Sequence, residues 1–266
     1  MSLALSTYTS ALEASAALKE DGARYLGGGT LTLRAVNEGD IAIKGYVRSS
    51  DPALTAIDVS GGRARIGASV TMAAIVRHNE LATISRAAKA VGGPAIRNMA
   101  TVGGNLFAKS PYGDFAVAIQ ALGATIHCTG GDMDIDTFLA KRDGLFEGGI
   151  VTAVSFDVPA ADDFRFLKVS RVKPKGVSVL SIATLIKADA QGSVTAARIS
   201  LGCMGDRPMR AKSAEKSLIG NQLTQTGIAP AIASVGDGID PPTDSIASAW
   251  YRAEVLPVHF ARLLLG

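Results

Sequence analysis

This chain of 266 residues has few of the side chains from which proteins build metal and redox centres. It contains two cysteines, Cys128 and Cys203, and three histidines, His78, His127 and His259. An iron–sulfur cluster usually takes four thiolates and a structural zinc site four Cys or His ligands, so neither is expected here. His127 and Cys128 are neighbours, but successive side chains of a strand point to opposite faces, which makes them a poor ligand pair. Aromatic residues are only 5% of the chain, and the net charge is a scattered +3. Without a basic run or an aromatic ladder, nucleic acid is not an expected partner. No window approaches the eighteen or more apolar residues of a membrane span. The N-terminus is Ser/Ala-rich, with Glu13 and no basic start, and does not read as a secretory signal. A cytoplasmic location is expected. A G-x-G-x-x-G fingerprint with its trailing acid is also missing, which weakens a nicotinamide Rossmann reading. No local Ser/His/Asp set, paired carboxylates or internal repeat emerges.

What the chain has is glycine in two particular places. Tyr25-Leu26-Gly27-Gly28-Gly29-Thr30 is one backbone-exposing turn. Without Cβ atoms, successive N–H groups can converge on an oxyanion at little conformational cost. Thr30 adds a hydroxyl donor. Glycine triplets are also common turn punctuation, so alone this stretch reads first as a plain strand-to-helix turn. The second place is Ala95-Ile96-Arg97-Asn98-Met99-Ala100-Thr101-Val102-Gly103-Gly104-Asn105-Leu106, followed by Ser110-Pro111-Tyr112-Gly113-Asp114. Here paired glycines are flanked by Thr101 and Asn105. Asp114 can accept hydrogen bonds from ribityl or ribose hydroxyls, or cap the helix that begins near Phe115. Arg97 could offset phosphate charge or pair with a surface carboxylate. Two such turns point to one elongated anionic ligand with a sugar-alcohol middle, a description that a dinucleotide flavin fits.

Periodicity and turn signals predict mixed helices and strands. A helix is expected over 12–21, a strand over 24–26, a helix or extended segment over 31–36, and a strand over 56–59 that closes a first lobe. Beyond it come a strand over 65–68, a helix over 72–78 capped by Thr71, and helices over 84–91 and 115–122. A strand over 124–127, a turn of helix within 138–146 and a strand over 150–158 complete this part. After a polar break at 160–164, strands are expected over 166–169, 181–188 and 196–202. Helices follow over 211–218, 229–235 and 245–265, the last interrupted near Pro257. Strands followed by helices describe an α+β domain.

These residues closely resemble the FAD-binding subunit of the molybdenum hydroxylase family, which includes the flavoprotein of bacterial carbon monoxide dehydrogenase and the flavin domain of xanthine dehydrogenase. The family pattern I-R-N-x-A-T-x-G-G-N-[IL] runs unbroken from Ile96 to Leu106, and S-P-x-x-D is Ser110 to Asp114. The pattern A-G-G-T-D-L corresponds to Gly27-Gly28-Gly29-Thr30-Leu31-Thr32, with Leu31 in place of the usual acid. Val117 replaces a family proline. Arg207-Pro208-Met209-Arg210-Ala211 with Glu215, Leu218 and Gly220, and Ser248-Ala249-Trp250-Tyr251-Arg252, resemble the family's C-terminal signatures.

The resemblance implies an α+β fold. A two-lobed FAD-binding domain of the vanillyl-alcohol oxidase type would cover 1–160, in lobes of about 1–58 and 59–160. A smaller C-terminal α+β domain of the CO dehydrogenase flavoprotein type would cover 165–266. The implied FAD-binding residues are Leu26, Gly27, Gly28, Gly29, Thr30, Leu31, Thr32, Val91, Ala100, Thr101, Gly103, Gly104, Asn105, Ser110, Asp114, Ile150, Val151 and Lys168. The glycine-bearing motifs would line the diphosphate and Asp114 would meet hydroxyls. Ile150 or Val151 would pack on the isoalloxazine, and Lys168 would bring a cation near it.

With too few cysteines for clusters, the chain would host only the last station of the family's electron path. The implied partners are a small subunit with two [2Fe–2S] clusters and a large molybdopterin subunit, as a dimer of heterotrimers. The terminal acceptor could be NAD, oxygen or a quinone. The alternatives are a stand-alone FAD-dependent oxidoreductase on the same fold and a nucleotide-binding module without catalysis.

Overall fold

The computed structural model describes residues 3–142, 149–172 and 176–266, which form three sheets that follow one another along the chain. The first is built from β1 (Ala4–Tyr8), α1 (Ala11–Ala17), β2 (Ala23–Tyr25), α2 (Thr32–Asn37) and β3 (Gly45–Ser49). Its order is β1-β3-β2, with both pairings parallel. Helix α1 opens at Ser10, whose side chain accepts from the Leu12 amide. It stops earlier than expected because the Lys19 and Glu20 amides return to the carbonyls of Ala16 and Ala17, a tighter turn that leads into Gly22 at φ +77°. Strands β1 and β3 were not anticipated. The β1 sequence Ala-Leu-Ser-Thr-Tyr is exposed along nearly its whole length, so it lacks the apolar alternation that marks a half-buried strand.

The second sheet uses β4 (Ile57–Ser60) and β5 (Arg63–Gly67), then the helices α3 (Met72–Arg77), α4 (Ala82–Ala90), α5 (Pro94–Met99), α6 (Val102–Leu106) and α7 (Asp114–Ala121), then β6 (Thr125–Cys128), β7 (Met133–Asp134), α8 (Ile135–Lys141) and β8 (Val151–Asp157). All its pairings are antiparallel, in the order β4-β5-β8-β6-β7. The strand expected to close the first lobe therefore belongs here instead. Gly61 and Gly62, both at positive φ, form a two-residue hairpin that returns β4 onto β5. Thr71 caps α3 as expected, accepting from Ala74 at 3.2 Å. Helix α8 starts at Ile135 because Asp134 accepts from the Thr137 amide at 2.9 Å. Phe146, the end of the helical turn expected there, lies outside the described residues.

The third sheet comprises β9 (Phe164–Ser170), β10 (Ser178–Ala188), β11 (Val194–Gly202) and β12 (Met209–Arg210), antiparallel in the order β12-β11-β10-β9, so β9 is an edge strand. Helices α9 (Lys212–Leu218), α10 (Ala229–Ser234) and α11 (Ala249–Leu265) cover it. Helix α7 is buried at every position, as an all-round apolar helix requires, and it joins the second and third sheets. A Cβ on Gly202 would lie 2.7 Å from Val117 Cγ2, so strand and helix touch where glycine allows it. Gln120 donates to Asp136 at 2.8 Å and accepts from Ser200 at 2.6 Å. Arg210 donates to Asp136 at 3.1 Å and grips Glu215 through two bonds of 2.6 Å. The spacing from Arg210 to Glu215 in the sequence is thus a pin between α8 and the third sheet.

Helix α11 runs unbroken through Pro257, against expectation. Proline forfeits a backbone bond and clashes with the preceding turn, at a cost of about 3 kcal/mol. Burial of Leu256, Phe260 and Leu264 on one stripe offsets this, at roughly 1.5–3 kcal/mol per side chain. The same stripe carries Arg252, wholly buried, which donates to the carbonyls of Val179 and Pro242 and to both Asp244 oxygens at 2.9 Å. Asp244→Asn should lower stability by about 3 kcal/mol, the scale for leaving one buried charge without its partner, read as an earlier urea midpoint at pH 7. Burial pushes the Asp244 carboxyl up, but bonds from Arg252 and the Ala247 and Ile246 amides outweigh it and hold the carboxyl below its ordinary range. Its contribution is full above the unfolded value of about 3.9 and fades as pH falls through the lower folded value. Acid titration should therefore bring wild type and Asp244→Asn together.

Candidate functional site

A cleft of about 730 Å³ opens among the loop after β2, the α5–α6 segment, the start of α7 and strand β9. That size lies within the ~300–1,000 Å³ typical of small-molecule sites. Of the residues expected to bind a cofactor, all but Leu26 and Ser110 border it. The Leu26 amide extends the β2–β3 ladder to Val47 at 2.8 Å, and Ser110 stands one residue behind Pro111, which does border the cleft.

The first motif leaves the sheet at Gly27. A Cβ on Gly28 would fall 1.7 Å from the carbonyl oxygen of Met99, so the two motifs meet backbone to backbone at a place only glycine can occupy. Gly29 sits at φ +73°, the left-handed region that favours glycine. Among the described residues, the amides of residues 27–32 have no hydrogen-bond acceptor, although they border the cleft. Unpaired backbone donors are rare unless a ligand or water takes them.

The second motif differs from the turn that was expected. It forms α5 and α6, and most of its amides are spent internally. Val102 donates to Val70 at 2.9 Å, Gly103 to Ala68 at 2.8 Å and Asn105 to Thr101 at 2.9 Å. Gly104 donates to Thr101 Oγ1 at 3.1 Å, which makes Thr101 the cap of α6. Cβ atoms on Gly27 and Gly104 would each lie 3.1 Å from that same hydroxyl. Thr101 Oγ1 therefore sits between the motifs with its own O–H still available as a donor. Asn105 Oδ1 accepts from the Ala116 amide at 3.0 Å, satisfying the start of α7 from eleven residues upstream. Asp114 is thereby not the helix cap, which falls on Gly113 at φ +91°.

The Asp114 carboxylate is nearly enclosed. It accepts from Ser178 Oγ at 2.5 Å and from Lys168 Nζ at 2.8 Å, and Lys168 also donates to the Ala90 carbonyl at 2.9 Å. Strand β9 and the start of β10 thus hold one side of the cleft. Among the described residues that border it, Arg24, Arg34 and Lys168 are the cations and Asp114 is the carboxylate. Sequence reasoning missed Arg34, which donates to the Tyr112 hydroxyl at 2.7 Å and so ties α2 to the Ser110–Asp114 segment. Its signal was local: α2 follows directly on the glycine turn, and Arg34 is its third residue. Arg97 fills neither suggested role. It donates to the carbonyls of Lys89, Val91 and Gly92, closing the end of α4.

His127 contacts Asp132 at 2.7 Å and Ser155 at 2.9 Å, an order of contacts like a hydrolytic triad. Ser155 is only 4% exposed and accepts from Arg63 at 3.1 Å, so the set clamps the β6–β7 hairpin to the sheet. Burial pushes the thiols of Cys128 and Cys203 up to about 11 and about 12, which keeps both unreactive. Among the described residues, no group of three or more His, Cys, Asp or Glu side chains is placed to hold a metal ion, and no helix is long and apolar enough to cross a membrane.

The donor set tests FAD directly. Free amides, a hydroxyl and cations suit a diphosphate, while a carboxylate suits hydroxyls and Ile150 and Val151, both buried, supply an apolar seat. The residues fit the group. Residues 3–159 match the family described as the FAD binding domain in molybdopterin dehydrogenase, and residues 165–266 match the CO dehydrogenase flavoprotein C-terminal domain. The chain is 29% identical to the nicotinate dehydrogenase FAD-subunit of Eubacterium barkeri, over 79% of this chain and 75% of that one. It is 27% identical to the carbon monoxide dehydrogenase medium chain of Afipia carboxidovorans, over 79% and 76%. A solved carbon monoxide dehydrogenase structure from Hydrogenophaga pseudoflava shares the fold with a TM-score of 0.90 at 22% identity, covering 98% of this chain and 96% of that one. The chain belongs to the family of FAD-binding domains of molybdopterin dehydrogenases, and is an oxidoreductase flavoprotein whose cofactor is FAD.

Proposed function

We propose that this chain is the FAD-bearing electron-transfer subunit of a three-subunit molybdenum hydroxylase in the cytoplasm. In this reading residues 1–160 are a two-lobed FAD-binding domain of the vanillyl-alcohol oxidase type, and 165–266 a CO dehydrogenase flavoprotein-type domain. The lobe boundary in this reading would fall between β3 and β4, since β4 pairs with β5. Supporting the subunit role, one relative is named an FAD-subunit and another a medium chain. A small subunit with two [2Fe–2S] clusters would deliver electrons drawn from a molybdopterin subunit, the whole forming a dimer of heterotrimers. Two cysteines, both buried or half-buried and far apart in sequence, are consistent with clusters housed elsewhere.

FAD, when bound, supplies the redox chemistry, and the protein supplies binding, orientation and electrostatics. The amides of residues 27–32, joined by the Thr101 hydroxyl, would hold the diphosphate. Arg24 and Arg34 would offset its charge. Asp114, held in place by Lys168 and Ser178, would accept from sugar-alcohol hydroxyls. Ile150, Val151 and Val91 would exclude water from the ring system, with Lys168 beside it. The observation that carries this reading is the run of unpaired amides at a cleft wall where two motifs make backbone contact.

Gly28→Ala should separate the motifs and cost at least two charge-assisted hydrogen bonds at about 1.5–3 kcal/mol each. FAD affinity should then fall about 100-fold or more, measured as lost flavin absorbance after gel filtration with circular dichroism unchanged. Full flavin content in that variant would contradict the assignment. Native purification should recover flavin, iron and molybdenum in one assembly, and substrate turnover should vanish when this chain is isolated. A lone flavoprotein with full turnover would instead support a stand-alone oxidoreductase.

A further inference from the structure

Lys168 borders a second cavity as well as the cleft. This is a groove of about 1,090 Å³ whose floor is the edge strand β9 and whose walls are α4 and α11. Arg86 and Ala90 of α4 both face it. They are one helical turn apart, so Arg86 stands about 6 Å along the axis from the carbonyl that holds Lys168. On α11, His259 and Arg262 are three apart and share the face that borders the groove. Arg165 of β9 donates to the carbonyls of Leu263 and Leu264 at the end of α11 and adds a third guanidinium. Against these stands the Asp162 side chain. Lys168 is already matched by Asp114. Arg86 and Arg262 are exposed and have no ion-pair partner among the described residues.

A groove with surplus positive charge raises the local concentration of anions and speeds their arrival. Here it does so next to the cofactor cleft, across one layer of protein: Lys168 with the Ala90–Val91 backbone. We infer that this groove is the docking site of an anionic small-molecule electron acceptor, which receives electrons through that layer without entering the cleft. The inference rests on the proposed electron-transfer role.

Ferricyanide and hexaammineruthenium(III) are one-electron acceptors of opposite charge and serve as probes. Two ions of either take the two electrons of the fully reduced cofactor, whose protons pass to water. With the FAD-loaded chain reduced by dithionite and freed of excess, Arg86→Glu/Arg262→Glu should slow ferricyanide reduction about tenfold at low ionic strength. Hexaammineruthenium(III) reduction should be unchanged or faster. The milder Arg86→Gln/Arg262→Gln should fall between wild type and the charge reversal. Equilibrium dialysis should show weaker ferrocyanide binding to both variants, with or without FAD. An unchanged ferricyanide rate, unchanged ferrocyanide binding, or equal slowing of both probes would overturn the inference. Failure of the chain to retain FAD would count against the flavin reading instead, and the dialysis on the FAD-free chain would still decide the groove.

Discussion

The Met99 carbonyl oxygen stands where any residue but glycine at position 28 would place its Cβ. This contact joins two segments some seventy residues apart in sequence, and much of the cleft follows from it. The loop after β2 lies directly against the end of α5, and among the described residues its amides have no acceptor while the loop borders the cavity. The neighbouring glycines serve the same approach, with Gly27 and Gly104 leaving room for the Thr101 hydroxyl between them. The two motifs therefore divide the labour. One offers donors, and the other spends its donors on its own rigidity and presents a wall.

Rigidity of that wall comes from farther away. The α5–α6 segment is fixed by backbone bonds to residues 68–72, and Asn105 reaches across to satisfy the start of α7. With the helix start satisfied by another residue, Asp114 is available to the cleft. Its geometry is then set by the third sheet, through Lys168 and Ser178. A charge-assisted hydrogen bond in such a nearly enclosed place is stronger than one in water. The third sheet is itself pinned to α7 and α8 by the Gln120, Asp136, Arg210 and Glu215 network. Movement of that sheet would thus be felt at the cleft carboxylate.

Sequence alone carried the cleft-bordering motifs because their requirements are local and written in residue type: glycine for close approach, Thr for a hydroxyl, Asp for acceptor capacity. Helix α3 was legible for the same reason, since Thr71 stands directly before its apolar run. What stayed hidden depends on partners distant in sequence. Strand β1 has no apolar alternation and exists through its pairing with β3. Arg97 reads as a spare cation until the end of α4 is seen beside it. Ser155, His127 and Asp132 form no local motif, and the antiparallel pairing of β6 with β8 brings the serine to the histidine. Pro257 misled because local propensity outvoted an apolar stripe that only packing reveals.

The central claim is that the backbone donors of residues 27–32 are held free of internal partners in order to receive the cofactor's diphosphate. Amide hydrogen exchange, followed by NMR on the chain with and without bound FAD, addresses those donors one by one. Exchange at Gly27, Gly28, Gly29 and Thr30 should be fast without FAD and strongly slowed with it, while the Gly103 amide, already bonded to Ala68, should change little. Unaltered exchange at the glycine turn with FAD demonstrably bound would contradict the account.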